Sequence, residues 1–168
     1  MNKEIVDILN KQINKELEVA YLYLDIANHF DSTGLDGYSH YYRIEAKEEI
    51  DQAMKIYKYL HSNNYKVKLM IINENKKVFD SILEVLEYGK EVEKDVTKSI
   101  EEIYKLADEK GDLKTMEFIT WFIARQTAKE EAAQKILDES RAFKEAAALY
   151  SLNNKYRTRN YARIWKEK

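Results

Sequence analysis

The chain of 168 residues has no cysteine, which excludes disulfide frameworks, thiolate metal sites and cysteine nucleophiles and leaves the redox compartment unread. Proline is absent as well, and glycine occurs only four times, at Gly34, Gly37, Gly89 and Gly111. These are the residues that most disfavour helix interiors, so their scarcity beside abundant Leu, Ala, Glu and Lys predicts a mostly helical protein. No apolar run approaches the roughly 18 residues needed to cross a bilayer, and the first thirty residues lack the continuous apolar segment of a signal peptide. A soluble, cytoplasmic chain with no membrane partner is therefore expected. Charge of one sign is not in excess either. The 28 Lys+Arg stand against 30 Asp+Glu, a net charge of −2, which argues against whole-surface attraction to nucleic acid.

What is present is helical periodicity. Leu9, Ile13, Glu16, Ala20, Tyr23 and Ala27 are spaced 4, 3, 4, 3, 4, the seam of a helix packed in a left-handed bundle. It predicts a first helix over about 3–31. The glycine-bearing turn Ser32 to Gly37 is short, so the second helix, about 36–63, should lie antiparallel beside the first. Its seam reads Tyr38, Tyr42, Glu45, Glu49, Gln52, Ile56 and Tyr59. From Asn63 to Phe79 the pattern degrades into a connection long enough to cross a bundle from end to end.

A third helix is expected over about 80–109, with the seam Ile82, Leu86, Gly89, Glu93, Val96, Ile100, Ile103 and Ala107. Gly111-Asp112 supplies a stop and an acidic N-cap, and the fourth helix follows over about 112–141, with Phe118, Phe122, Arg125, Lys129, Ala132 and Ile136 inward. A last, less apolar helix is expected over about 143–165. Two antiparallel helix pairs joined by one long crossover give an all-α, ferritin-like four-helix bundle with a short fifth helix, as one domain spanning 1–168.

The middle of each seam carries a charge where a core should be: Glu16, Glu49, Glu93 and Lys129. An unpaired buried charge costs several kcal/mol, so something must compensate the carboxylates. Hard iron cations suit carboxylate oxygens, and bundles build di-iron sites from inward glutamates. Such sites usually add a Glu-x-x-His step, whereas here Glu49-Ile-Asp-Gln52 offers an amide in place of the imidazole. The competing reading is a metal-free ion cluster, with three glutamates balanced by Lys129 and Arg125. From the residues alone both stand.

The stretches Leu9 to Tyr23, Ala46-Lys-Glu-Glu49-Ile, Glu91 to Ile100, Phe118 to Gln126, Lys135 to Asp138 and Ala148 to Leu152 together resemble ferritins of the prokaryotic non-haem kind, over nearly the whole chain. The resemblance implies an iron-storage subunit with ferroxidase activity, assembling as a homo-oligomer into a hollow 24-subunit cage. It places the family's iron ligands on Glu16, Glu49, Glu93 and Gln126, with Tyr23 beside the site and Glu48 at an accessory iron position. Three positions depart. The family histidine falls on Gln52, a helix-four glutamate on Lys129 and an accessory glutamate on Arg125, while another accessory acid falls on Ala128. An ammonium has no lone pair to donate and supplies the charge that iron would. The resemblance then extends to non-catalytic ferritin chains that hold ferric mineral and can co-assemble with a catalytic chain. An active ferroxidase with an altered ligand set and a structural bundle without iron are the alternatives.

Thirteen tyrosines read as amphipathic packing residues, Tyr23 excepted. His29, His40 and His61 have no partner histidine at helical spacing and are expected at surfaces or caps. Met54 could suggest an axial haem ligand, but haem is not expected without the Glu-x-x-His pair. The tail carries Lys155, Arg157, Arg159, Arg163, Lys166 and Lys168 with Tyr156, Tyr161 and Trp165 interleaved. It is expected to dock on its own oligomer rather than on nucleic acid.

Overall fold

The computed structural model describes residues 1–143 and 146–164. Five helices appear in the order α1 (Lys3–Ser32), α2 (Asp36–Ser62), α3 (Ile82–Glu109), α4 (Leu113–Ala142) and α5 (Ala146–Arg157). No strand occurs among the described residues, and no helix among them is long and apolar enough to cross a membrane. Polar side chains start α1, α3 and α4 by taking up free backbone N–H groups. Asn2 accepts from Glu4 N at 2.8 Å, Ser81 from Glu84 N at 3.2 Å and Asp112 from Thr115 N at 3.0 Å. The two tight turns use glycine in the left-handed region, Gly34 at φ 78° and Gly111 at φ 64°, where a β-carbon would be strained.

α1 packs along α2 and α3 along α4, and the two hairpins meet through α1 and α3. The seam residues Leu9, Ile13, Ala20, Tyr23 and Ala27 of α1, and Leu86, Val96, Ile100, Ile103 and Ala107 of α3, are buried. α2 and α4 meet through long side chains, including the stacked rings of Tyr59 and Phe118 at 3.8 Å and a Tyr59–Thr115 hydroxyl contact of 3.0 Å. The α4 stripe is rotated from the expected one. Thr115, Ile119, Phe122, Gln126, Lys129, Ile136 and Leu137 face inward, while Ala132 is exposed. Between residues 128 and 135 the helix has only alanines as apolar residues, so its local pattern barely distinguishes one face from another.

The crossover, residues 63–81, runs the length of α1. Tyr65 Oη donates to Met1 O at 2.9 Å near one end, and the Phe79 ring lies 5.8 Å from that of His29 near the other. Between them Asn10 and Asn14, one helical turn apart, act as rungs: Asn10 Oδ1 accepts from Lys68 N at 2.8 Å, and Asn14 takes Lys68 O and Met70 N, both at 2.7 Å. Backbone groups that have no ladder partner are thereby satisfied.

The fifth helix is shorter than the expected 143–165. It ends at Arg157, and residues 158–164 run on without helix. Beyond Arg157 no apolar stripe at helical spacing remains, and the polar side chains find partners on α2. Trp165, Lys166 and Lys168 lie outside the described residues. α5 docks at the start of α2, where Asn153 Oδ1 accepts from Gly37 N at 2.8 Å and Tyr38 N at 3.3 Å. Gly37 is required for this approach, because a β-carbon there would stand 1.7 Å from Asn153 O.

Candidate metal centre

Each long helix delivers one or more polar side chains to the same depth of the bundle. Glu16, Glu49 and Gln52 are fully buried, as is Gln126, with Glu93 at 2 % and Lys129 at 5 % exposure. The Lys129 ammonium reaches across from α4 and donates to Glu45 Oε2 at 2.8 Å and to Glu49 Oε1, and stands 3.4 Å from Glu93 Oε1. Oxygens of Glu45, Glu49 and Glu93 all lie within 4.8 Å of one another, a spacing that fits a divalent cation. The residues present therefore fit a cation, and the cation they hold is the protein's own.

Glu16 stands one step away. Its Oε1 accepts from Gln12 Nε2 at 2.8 Å, and its other hydrogen-bond partner is Glu49, while Lys129 acts on it only through its charge. The expected trio of Glu16, Glu49 and Glu93 around the lysine is thus corrected to Glu45, Glu49 and Glu93. Glu45 was visible as a seam residue one turn before Glu49, but its role depended on the rotation of α4. Gln52 donates from Nε2 to Glu49 Oε2 at 2.9 Å, and Gln126 donates to Glu93 Oε2 at 3.0 Å and Glu93 O at 3.1 Å. Both amides thus spend their N–H groups on carboxylates. Their carbonyl oxygens, with Glu16 Oε2, are buried without a partner. Tyr23 Oη donates to Glu93 Oε1 at 2.5 Å.

Arg125 does not join the lysine's carboxylates. It pairs on the flank with Glu48 Oε2 at 2.5 Å. A third cation, Arg159 from the segment after α5, bonds Glu45 Oε1 at 2.6 Å and Glu48 Oε1 at 3.3 Å. Charges alternate along the file Lys129, Glu45, Arg159, Glu48, Arg125. The expected balance of three acids and two cations becomes five acids (Glu16, Glu45, Glu48, Glu49, Glu93) and three cations (Arg125, Lys129, Arg159).

Protonation follows from this surplus. Burial and the neighbouring carboxylates push Glu49 well above the usual carboxylate range in spite of Lys129, and burial raises Glu16 beside it. The Glu16–Glu49 pair is therefore biased toward its protonated form, which moves the cluster toward neutrality. Burial also acts against ionised Glu45, but Lys129 and Arg159 outweigh it and hold its carboxyl at about 2. For Lys129 desolvation is likewise overcome: Glu45, Glu49 and Glu93 hold its ammonium well above the ordinary lysine value. Burial and the charges of Glu93, Glu49 and Glu45 keep Tyr23 protonated far above its ordinary range.

His29 packs against Phe30 and Phe79, and His61 against Tyr57. His40 Nε2 lies 2.7 Å from Arg159 O. No described histidine contact is to a carboxylate of the cluster; His40 meets only the backbone of Arg159. Met54 is exposed on α2.

Antiparallel hairpins, an end-to-end crossover and inward glutamates at mid-height define the class of carboxylate-centred four-helix bundles. The model of the ferritin-like domain matches residues 6–143. The chain is 33% identical to the bacterial non-heme ferritin of Staphylococcus saprophyticus over 138 residues, covering 82% of this chain and 83% of that one. It is also 33% identical to that of Campylobacter jejuni over 139 residues, with 83% of each chain covered. Among solved structures, an open pore ferritin from the hyperthermophilic archaeon Archaeoglobus fulgidus superposes with a TM-score of 0.93 at 35% identity, over 95% of this chain and 99% of that one. A closed form of the Archaeoglobus fulgidus ferritin, made by site-directed mutagenesis, gives 0.94 at 36% identity, over 96% and 99%. The chain belongs to the ferritin family and is an iron-storage ferritin subunit.

Proposed function

We propose that this chain is a storage subunit without a working ferroxidase centre of its own, in which iron is cargo rather than a resident of the bundle. The observation that carries the reading is Lys129 Nζ, in bonding contact with Glu45 and Glu49 and 3.4 Å from Glu93. Glu16, Glu49, Glu93, Gln52 and Gln126 mark the family's ferroxidase position, Glu48 its accessory position and Tyr23 the adjacent tyrosine. At that position an ammonium supplies the charge of a metal without its empty orbitals. It can neither coordinate O2 nor supply the electrons that Fe(II) bound there would give to it.

Residues 1–168 act in this reading as one unit of a cytoplasmic homo-oligomeric cage of the 24-subunit type, and ferric mineral fills its cavity. Oxidation then falls to dissolved oxidant or to a catalytic ferritin chain in the same shell. A second reading is favoured by the unpartnered oxygens Glu16 Oε2 and Gln52 Oε1, both on neighbours of Glu49. On that side Fe(II) would find hard oxygen donors, giving an active ferroxidase with an altered ligand set, in which wild type itself oxidises iron rapidly.

Aerobic Fe(II) oxidation at about two irons per subunit, a load typical of carboxylate di-iron sites, separates the two. Wild type should be slow and Gln52→His/Lys129→Glu fast. Rapid oxidation by wild type would end the storage-only reading, and a cage that takes up no ferric mineral from externally oxidised iron would end both.

A further inference from the structure

The basic and aromatic segment after α5 has a specific seat. Arg159 bonds Glu45 and Glu48, lies 4.4 Å over the Tyr41 ring and donates to Tyr41 O at 3.3 Å. Its own carbonyl meets His40. Tyr161 Oη donates to Asp51 Oδ2 at 2.7 Å, with Lys47 Nζ 5.3 Å from its ring. Ile164 N also donates to Asp51, and Arg163 Nε stands 3.7 Å from the same carboxylate.

Two periodicities make this fit. Arg159, Tyr161 and Arg163, at alternate positions of the segment, all reach acids of α2. On α2, Glu45, Glu48 and Asp51 recur every three residues, about 4.5 Å apart. The segment runs along this acidic ridge in the direction of α2. It also covers the flank of the buried cluster. Tyr41 and Glu45, both touched by Arg159, line a cavity of about 10 Å³ beside Tyr23, Glu93 and Lys129, room for at most one water.

We propose that residues 158–164 form an intramolecular strap: Arg159 completes the ion file around Lys129, and lifting it opens the Glu45–Glu48 carboxylates to divalent cations. The proposal rests on reading the Lys129 cluster as a filled metal position. In wild type each of these two carboxylates has both oxygens committed, Glu45 to Lys129 and Arg159, Glu48 to Arg125 and Arg159. A cation must displace the guanidinium before it can bind. Once Arg159 is gone, one oxygen of each faces the vacated position, and the strap becomes the element that sets access to the centre.

The test is Mn(II) binding to the intact assembly, followed by the loss of the free-ion EPR signal, for wild type, Arg159→Gln, Arg159→Gln/Glu48→Gln and Lys129→Ala. Removing one cation from between two buried carboxylates should raise affinity roughly tenfold or more, and Glu48→Gln in that background should return it to the wild-type level. A Tyr161→Phe/Asp51→Asn variant loosens the far end of the strap without touching the cluster and should give a smaller rise, which covers the case of a poorly folding Arg159→Gln. Unchanged affinity in the strap variants overturns the proposal. If Lys129→Ala alone binds more tightly, the strap is wrong and the filled-site reading survives; if no variant gains affinity, both fall.

Discussion

Removing the Lys129 ammonium is the sharpest perturbation available. Its side chain is 3% exposed and has three carboxylates within 3.4 Å, so Lys129→Ala leaves buried charge uncompensated. Breaking a buried pair in this way costs about 3–5 kcal/mol. The raised lysine value means that its stabilisation is complete at every pH below the unfolded value and is lost only as pH rises through the still higher folded one. At pH 7 the whole effect is therefore present. In the variant the stranded carboxylates take up protons more readily, so the deficit should be largest at pH 7 and above and should shrink as pH falls toward 4. Guanidinium unfolding followed by tryptophan fluorescence, at pH 7 and pH 5 in chelator, measures both. A divalent cation that binds the emptied position should restore about 2.7 kcal/mol at a hundredfold excess over its dissociation constant. Adding Glu49→Gln should recover part of the loss, a coupling read from the double-mutant cycle. A variant within about 1 kcal/mol of wild type at pH 7 in chelator would refute the claim that Lys129 compensates these acids.

Wild type should weaken in acid: Glu45 is held at about 2, below the ordinary carboxylate value of 4.5, so about 3 kcal/mol of stability present above pH 4.5 is lost as pH falls through about 2, measurable as a falling unfolding midpoint. Gly37→Ala should force α5 from its seat, since the new β-carbon meets Asn153 O at 1.7 Å; a loss of about 1–3 kcal/mol is expected, and Asn153→Gly in the same chain should not restore it because the clash is with backbone. Tyr23→Phe removes the 2.5 Å bond to Glu93 and should cost about 1–3 kcal/mol; in wild type an ultraviolet titration should leave Tyr23 un-ionised until the chain unfolds.

Helix pairing and the crossover were legible because the α1 and α3 seams are apolar and regular and because a connection of that length fits only an end-to-end path. The depth of Glu16, Glu49, Glu93 and Lys129 was legible for the same reason, since a charge on a seam has few places to go. The identity of the lysine's partners was not. It depended on the rotation of α4, whose middle offers no large apolar residue, and on α2 presenting Glu45 as well as Glu49. Arg159 was hidden for a different reason: its partners lie more than a hundred residues earlier, and the tail's composition alone does not distinguish an extended strap from a helix. The Asn10 and Asn14 rungs were hidden because an asparagine on a helix face looks the same whether it meets water or a crossing backbone.

The placement of Lys129 also bears on how the chain finds its fold. Each helix pair closes through contacts near in sequence, α1 with α2 and α3 with α4, so each hairpin can form early. Lys129 lies in the second hairpin, while Glu45 and Glu49 lie in the first. Until the hairpins dock, all of these charges remain hydrated at no cost. Docking strips their water in a single event, and only the native register returns an ammonium to the three carboxylates. A slip of one helical turn between the hairpins, which an aliphatic seam would tolerate, would leave the ammonium opposite only one of Glu45 and Glu49 and strand the other carboxylate in the core. The ion cluster therefore acts as a proofreading step in assembly, rejecting misaligned bundles that the apolar seams alone would accept.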